Sequence, residues 1–254
     1  MIKIGDYVTR NKYNNDCLFK VIDIINDNYI LSGVNIRLIV TSYIDDLKKE
    51  ERSIRLDDDE IIKNIDIKPC DYKEEYFYMP GKILHIDADE EYLNRCLKYY
   101  KNKGINAYGI IEKEENLYKT INKYLEDIKP DIVVITGHDV YNKKNNKYKN
   151  SEYFEKAIEK AREYEKSYDK LKIVAGACQS NFELLIRSGA NFASSSKRIN
   201  IHALDPAIVA SILSLTEITK EVDLIDTLNK TKCGSDGFGG IKTYGSMFVG
   251  YPRQ

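Results

Sequence analysis

The sequence predicts an α/β protein, a mostly parallel sheet flanked by helices and preceded by a small SH3-like β-barrel. Three observations predict it. From Tyr76 onward, apolar runs of strand length alternate with amphipathic stretches of helix length, as successive βαβ units do. Residues 1–60 carry only short apolar/polar alternations broken by Asn, Asp and Gly, the pattern of small antiparallel strands. Residues 61–75 read as a linker, which leaves 76–254 as the main domain.

In the barrel, strands are expected over 3–8, 19–25, 29–31 and 36–40. The turn signals Asn14-Asn15-Asp16, Asn26-Asp27-Asn28 and Ser32-Gly33 separate them. Asp45 to Asp59 has little apolar content and reads as a linker or a solvated helix. In the main domain, strands are expected over 82–87, 107–111, 131–136, 171–175 and 191–194. Helices are expected over 91–102, 117–128, 181–187, and from Ser151, a plausible N-cap, to about Tyr168. Asp205-Pro206 opens a further helix, with proline in the first turn. Cys233 to Gly240 reads as a glycine-rich loop and Ile241 to Tyr251 as strand-like.

Acidic (40) and basic (39) residues nearly cancel and are interspersed, which argues against a nucleic-acid partner. No apolar run approaches the ~18 residues of a membrane span, and no signal-peptide pattern follows Met1, so a cytoplasmic protein with no membrane partner is expected. The five cysteines (Cys17, Cys70, Cys96, Cys178, Cys233) are odd in number and lack C-x-x-C spacing. Neither a disulfide framework nor a metal site is expected, and no cofactor.

The chemistry is expected beyond the carboxyl ends of the parallel strands. The third strand ends in Thr136-Gly137-His138-Asp139 and the fourth in Gly176-Ala177-Cys178-Gln179. If these strands are neighbours, roughly 5 Å apart, His138 and Cys178 sit side by side. An imidazole can then take the thiol proton, and the thiolate can attack a carbonyl. Gly137 and Gly176 allow tight turns. The start of the helix after Cys178 would lower the thiol pKa and supply N–H groups for an oxyanion hole. Taken singly, a strand-end cysteine is more often a small buried hydrophobe, and a strand-end histidine is more often a hydrogen-bonding residue than a base. The joint placement, each with a glycine, is what points to catalysis. Cys96 reads as core, His85 as structural, and His202 as the main competitor for the base.

A hydrophobic strand ending in His, followed by one ending in Ala-Cys, resembles the caspase–gingipain–clostripain group of cysteine peptidases. More specifically, the chain is similar to the YabG family of sporulation-specific peptidases of spore-forming Firmicutes. The resemblance is carried by Phe77-Tyr78-Met79-Pro80-Gly81-Lys82, His85-Ile86-Asp87, Pro130 to Asp139, Ala175 to Ser180, Ser188 to Pro206 and Gly239-Gly240-Ile241. It implies a caspase-like main domain and a protease acting in the mother cell, in association with the developing spore, on protein substrates, namely spore-coat and related spore proteins, with cleavage after arginine. In the broader group a Gly follows the catalytic His and its N–H binds the oxyanion; here Asp139 follows, and its N–H serves if its side chain turns away. Gly137 and Ala177 complete the two turns. Arginine-specific relatives often carry Asp two positions before the nucleophile. Gly176 stands there, so Asp87, Asp89 and Asp205 are the candidates for binding the substrate arginine. Asp89 and Asp205 equally read as helix caps.

Two other classes compete. A thiol amidotransferase or acyl-transferase usually has a Gly-x-Cys-x-Gly elbow with His later in the chain, which Gln179-Ser180 and the order His138 before Cys178 do not match. Asp87 and Asp89 resemble a phospho-receiver pocket, but no Asp stands at the tip of the third strand. Finally, Leu47 to Arg55 is polar and holds two arginines, which makes self-cleavage after Arg52 or Arg55 an expectation.

Overall fold

The alternating N-terminal segments form a five-stranded antiparallel sheet in a computed structural model that describes residues 2–50, 57–64, 73–142 and 145–253. Its strands are β1 (Tyr7–Arg10), β2 (Phe19–Ile25), β3 (Asn28–Gly33), β4 (Ile39–Tyr43) and β5 (Leu47–Lys49), ordered β4-β3-β2-β1-β5. Asn26 and Asp27 both take positive φ, the conformation a two-residue hairpin needs, which is why β2 turns directly into β3. Three expectations change. The strand expected over 3–8 starts only at Tyr7 and runs on to Arg10. The strand expected over 36–40 divides: from Ile39 the chain pairs with β3, while Ile36 leaves the sheet and bridges His202. The charged stretch from Asp45 begins not as a linker or helix but as a 3-10 turn and β5, the strand that completes the sheet against β1. Arg52, Arg55 and Cys70 lie outside the described residues.

The rest of the chain runs α1 (Asp58–Asn64), β6 (Phe77–Met79), β7 (Ile83–Asp87), α2 (Glu90–Asn102), β8 (Ala107–Ile111), α3 (Leu117–Ile128) and β9 (Ile132–Thr136). A short hairpin follows, β10 (Tyr141–Asn142) and β11 (Lys147–Tyr148), then α4 (Ser151–Tyr164), β12 (Lys172–Ala175), α5 (Phe182–Arg187) and β13 (Phe192–Ser194). The chain closes with α6 (Asp205–Leu215), α7 (Leu224–Lys230), α8 (Gly234–Gly237), β14 (Phe238–Gly240) and β15 (Phe248–Gly250). The central sheet has the order β14-β13-β12-β9-β7-β8, parallel throughout except for β14. The glycine-rich stretch read as a loop thus supplies α8 and the sheet's antiparallel edge. Of the strand-like 241–251, only β15 is strand, paired with β6.

Every residue of β7, β9 and β12 is buried, because helices cover both faces. Period-two alternation splits them between two cores. Ile83, Ile132, Val134 and Val174 join the core beneath α2 and α6. Leu84, Ile86, Val133, Ile135 and Ile173 join the one beneath α3 and α4. Each such side chain contributes roughly 1.5–3 kcal/mol by leaving water, so these three strands are the most firmly fixed part of the frame. The helix α6 is buried on all sides, in keeping with a mostly apolar sequence in which Asp205, Ser211 and Ser214 are the polar residues.

Candidate active site

β9 and β12 are parallel neighbours, with Ala175 opposite Ile135. Three residues beyond each stand Cys178 and His138, so the two leave the sheet at the same level of its carboxyl edge. Gly176 takes φ +116, and a Cβ there would meet Ser194 Oγ at 2.4 Å. The aspartate that some relatives carry at this position therefore has no room here. Cys178 is fully buried. Its Sγ accepts from the Ile201 N–H at 3.2 Å and lies 3.8 Å from the Ile201 carbonyl. The expected lowering of the thiol pKa by α5 is reversed: burial pushes it up to about 12, against smaller opposing effects of the Ile201 N–H and the Arg37 charge. As arranged here, the thiol is sealed.

His138 is held on three sides. Its N–H donates to Glu114 Oε1 (2.8 Å), its carbonyl accepts from Asn150 Nδ2 (2.7 Å), and its Nε2 lies 3.2 Å from Asp89 Oδ2. Asp89 does two jobs, since its Oδ1 accepts from the N–H groups of Glu91 and Tyr92 and caps α2. Burial would raise the Asp89 pKa, but His138 and the capping N–H outweigh it, so the carboxyl stays ionised below its ordinary range. An ionised carboxylate only accepts, which fixes the proton of the neutral imidazole on Nε2 and leaves the lone pair on Nδ1. Nδ1 is buried without a partner among the described residues. Tyr92 stands beside the imidazole, with its ring centroid 5.9 Å from that of His138.

The Asp139 carboxylate turns inward. It accepts from the N–H groups of Val140 (2.9 Å) and Asn150 (2.8 Å) and from the Ser151 hydroxyl, tying the strand end to the start of α4. Burial raises its pKa above the ordinary carboxylate value. Among the described residues neither the Asp139 nor the Cys178 N–H meets an acceptor. Ala177 donates to Ser180 Oγ (2.8 Å) and accepts from Ser194 Oγ (2.8 Å), which fixes the turn carrying the thiol. At Gly137 a Cβ would meet Glu114 Oε1 at 2.7 Å.

Asp87, at the tip of β7, is fully buried and paired with the guanidinium of Arg37, also fully buried. Thr136 Oγ1 donates to the same carboxylate (2.7 Å). Burial alone would raise the Asp87 pKa; Arg37, His85 and Thr136 together hold it well below the carboxylate range. Asp205 points elsewhere, accepting from the N–H groups of His202 (3.2 Å) and Lys232 (2.7 Å). Both His202 nitrogens are engaged, Nδ1 by the Leu204 N–H (3.1 Å) and Nε2 by Asp57 (2.8 Å). His85 is likewise spent, on Tyr100 and Thr136. Sequence reasoning placed Asp89 only as a pocket residue or cap and missed Arg37, Glu114 and Tyr92. Only Asp89 offered a signal, as the acidic residue just beyond the first strand.

Comparison with known proteins defines the class: the chain is a peptidase. The model of the YabG peptidase U57 family matches residues 3–252. The sporulation-specific protease YabG of Bacillus subtilis (strain 168) is 40% identical over 285 residues, which span 99% of this chain and 98% of that protein. The chain therefore belongs to the YabG family of sporulation-specific peptidases, with which a cysteine nucleophile is consistent. Among solved structures, a cobalamin-binding protein from Desulfitobacterium hafniense DCB-2 matches half of this chain and 55% of its own, at 19% identity and a TM-score of 0.34, a likeness too loose to carry an argument. Among the described residues no helix is long and apolar enough to cross a membrane.

Proposed function

We propose that the chain is a cysteine endopeptidase that processes spore-coat and related spore proteins in the mother cell, cutting after arginine. The observation that carries this reading is the His138 Nε2–Asp89 contact, which leaves Nδ1 without a partner among the described residues, at the level of Cys178. Nδ1 takes the thiol proton and the thiolate attacks the carbonyl carbon of the scissile bond. The oxyanion is received by the N–H groups of Cys178 and Asp139. The imidazolium, steadied by Asp89, returns its proton to the departing amine, and water, activated by the same nitrogen, hydrolyses the thioester. Asp87 receives the substrate guanidinium; Asp205 already serves two backbone N–H groups.

The sheet order, with β7 and β9 inside and an antiparallel edge at β14, supports a caspase-like catalytic fold. The β4-β3-β2-β1-β5 order, with a 3-10 turn before β5, supports an SH3-like N-terminal module. A cavity of about 450 Å³ between this module and the site, lined by Arg10, Leu38, Val140, Tyr141, Gln179 and Asn200, gives the substrate beyond the scissile bond a place to lie.

The test is hydrolysis of an arginyl peptide. Cys178→Ala should abolish it with the fold intact, and His138→Ala should lower kcat by about 10²–10⁴-fold. Near-normal turnover by either variant would move the chemistry elsewhere.

A further inference from the structure

The Gly33–Leu38 segment starts in the N-terminal sheet, where Gly33 pairs with Phe19 and the Val34 N–H donates to the Leu18 carbonyl, and from there reaches into the catalytic domain. The Arg37 N–H donates to the Ile201 carbonyl (3.2 Å) and the Ala203 N–H donates to the Asn35 carbonyl (2.9 Å). With Ile36 opposite His202, this is one unit of antiparallel pairing, the way an extended peptide adds to an exposed edge. The Arg37 side chain then enters a closed pocket. Its Nη1 meets Asp87, its Nε donates to the Ala203 carbonyl (3.2 Å), and its Nη2 lies 3.4 Å from Cys96 Sγ. Ile201 is shared: its carbonyl accepts from the Arg37 N–H and its N–H donates to Cys178 Sγ.

The segment is also shaped to stay. A Cβ at Gly33 would meet the Ile36 carbonyl oxygen at 2.4 Å, so only glycine closes the loop. The Gly33 N–H donates to the Leu38 carbonyl (2.7 Å) and the Leu38 N–H to that of Ile36 (2.9 Å), so the chain turns sharply at Arg37 and returns to β4. Tyr92 donates to the Gly33 carbonyl and lies 2.7 Å from that of Ile36, and Arg95 Nη1 donates to that of Val34 (2.5 Å).

We propose that Gly33–Leu38 is an internal pseudo-substrate: it lies along Ile201–Ala203 as a substrate strand would, Arg37 fills the arginine pocket at Asp87, and the peptidase is latent until the loop withdraws. This rests on the dyad and pocket of the proposed function. The sharp turn at Arg37 puts the Leu38 N–H into a bond with Ile36, which makes the loop an occupant held at both ends. An occupant of this kind reports what it displaces: a peptide with arginine next to the thiol, preceded by an apolar residue in the place of Ile36, and bound as an added strand.

Two measurements on the full chain test it. In Arg37→Gln, alkylation of Cys178 by iodoacetamide and turnover of an arginyl peptide should both rise about tenfold or more, since the open state no longer competes with the loop. Equal rates in folded wild type and variant would overturn the proposal. A second measurement needs no variant. After a peptidyl-arginyl chloromethyl ketone has alkylated Cys178 in the wild type, the amides of 35–38 should exchange hydrogen faster; unchanged exchange in the fully alkylated protein would also overturn it. Failure of the underlying reading looks different. Turnover by the Arg37→Gln, Cys178→Ala chain would overturn the dyad and this proposal with it. Unchanged labelling in Arg37→Gln beside an inactive Cys178→Ala would overturn the loop's role alone.

Discussion

The carboxyl edge of β9 and β12 and the Gly33–Leu38 loop meet at the Cys178 thiol but are held there by different means. The edge is carried by strands buried on both faces, and its turns are closed locally by Ser180, Ser194, Glu114 and Asn150. The loop is held mainly by groups from outside its own sheet: Asp87, Tyr92, Arg95 and the Ile201–Ala203 edge. The loop adds only Leu38 and, partly buried, Ile36 to the core that the strands share. Removing the strands leaves no site. The first region therefore behaves as frame and the second as a guest, and each of the following changes separates the two.

The largest effect on the frame should come from Asp89→Asn. The amide can donate to Nε2 and favour the wrong tautomer, so kcat should fall by about 10²–10⁴-fold. Stability should fall by only about 1 kcal/mol, because an asparagine still caps α2. Kinetics beside thermal melts check this. If kcat and stability fall in proportion, Asp89 is only a cap.

Asp87→Asn acts where guest meets frame. It leaves a buried guanidinium without its charge partner, which should cost about 3–5 kcal/mol. A double-mutant cycle with Arg37→Gln should show strong coupling, and the doubly substituted chain should lose its preference for arginyl over neutral peptides. Additive effects would mean that the pair is not the link between the two regions.

The same pair sets an acid response. Asp87 has a depressed pKa in the folded chain, so its contribution is present above the ordinary 3.8 and is lost as pH falls through the lower folded value. Denaturation curves should show wild-type stability falling more steeply than that of Asp87→Asn below about pH 4. The smallest effect on catalysis is expected from His202→Gln, whose nitrogens are engaged by Asp57 and Leu204. It should cost about 1–3 kcal/mol of stability and leave kcat near wild type. A dead His202→Gln beside an active His138→Ala would make His202 the base.

The frame was legible in the sequence because its signals are local. Val133-Val134-Ile135 and Ile173-Val174-Ala175 read as buried strands, and consecutive βαβ units place their ends side by side. The loop was not legible. Ile36-Arg37-Leu38 carries the same alternation as the strand it precedes, and nothing nearby tells that Arg37 pairs with Asp87, fifty residues on. The sequence offers Asp87 as one of three candidate arginine partners, and the arginine that meets it in this structure is the chain's own. The helix after Cys178 argues for a lowered thiol pKa, whereas burial raises it.

The central claim, that Cys178 is the nucleophile of an arginine-directed peptidase, is tested most directly by treating the full chain with a peptidyl-arginyl chloromethyl ketone and mapping the adduct by peptide mass spectrometry. The account predicts a single adduct on Cys178, with peptidase activity lost in proportion to its occupancy and the half-buried Cys17 and Cys233 unmodified. Activity lost with the adduct on another residue, or kept with Cys178 fully modified, would contradict it.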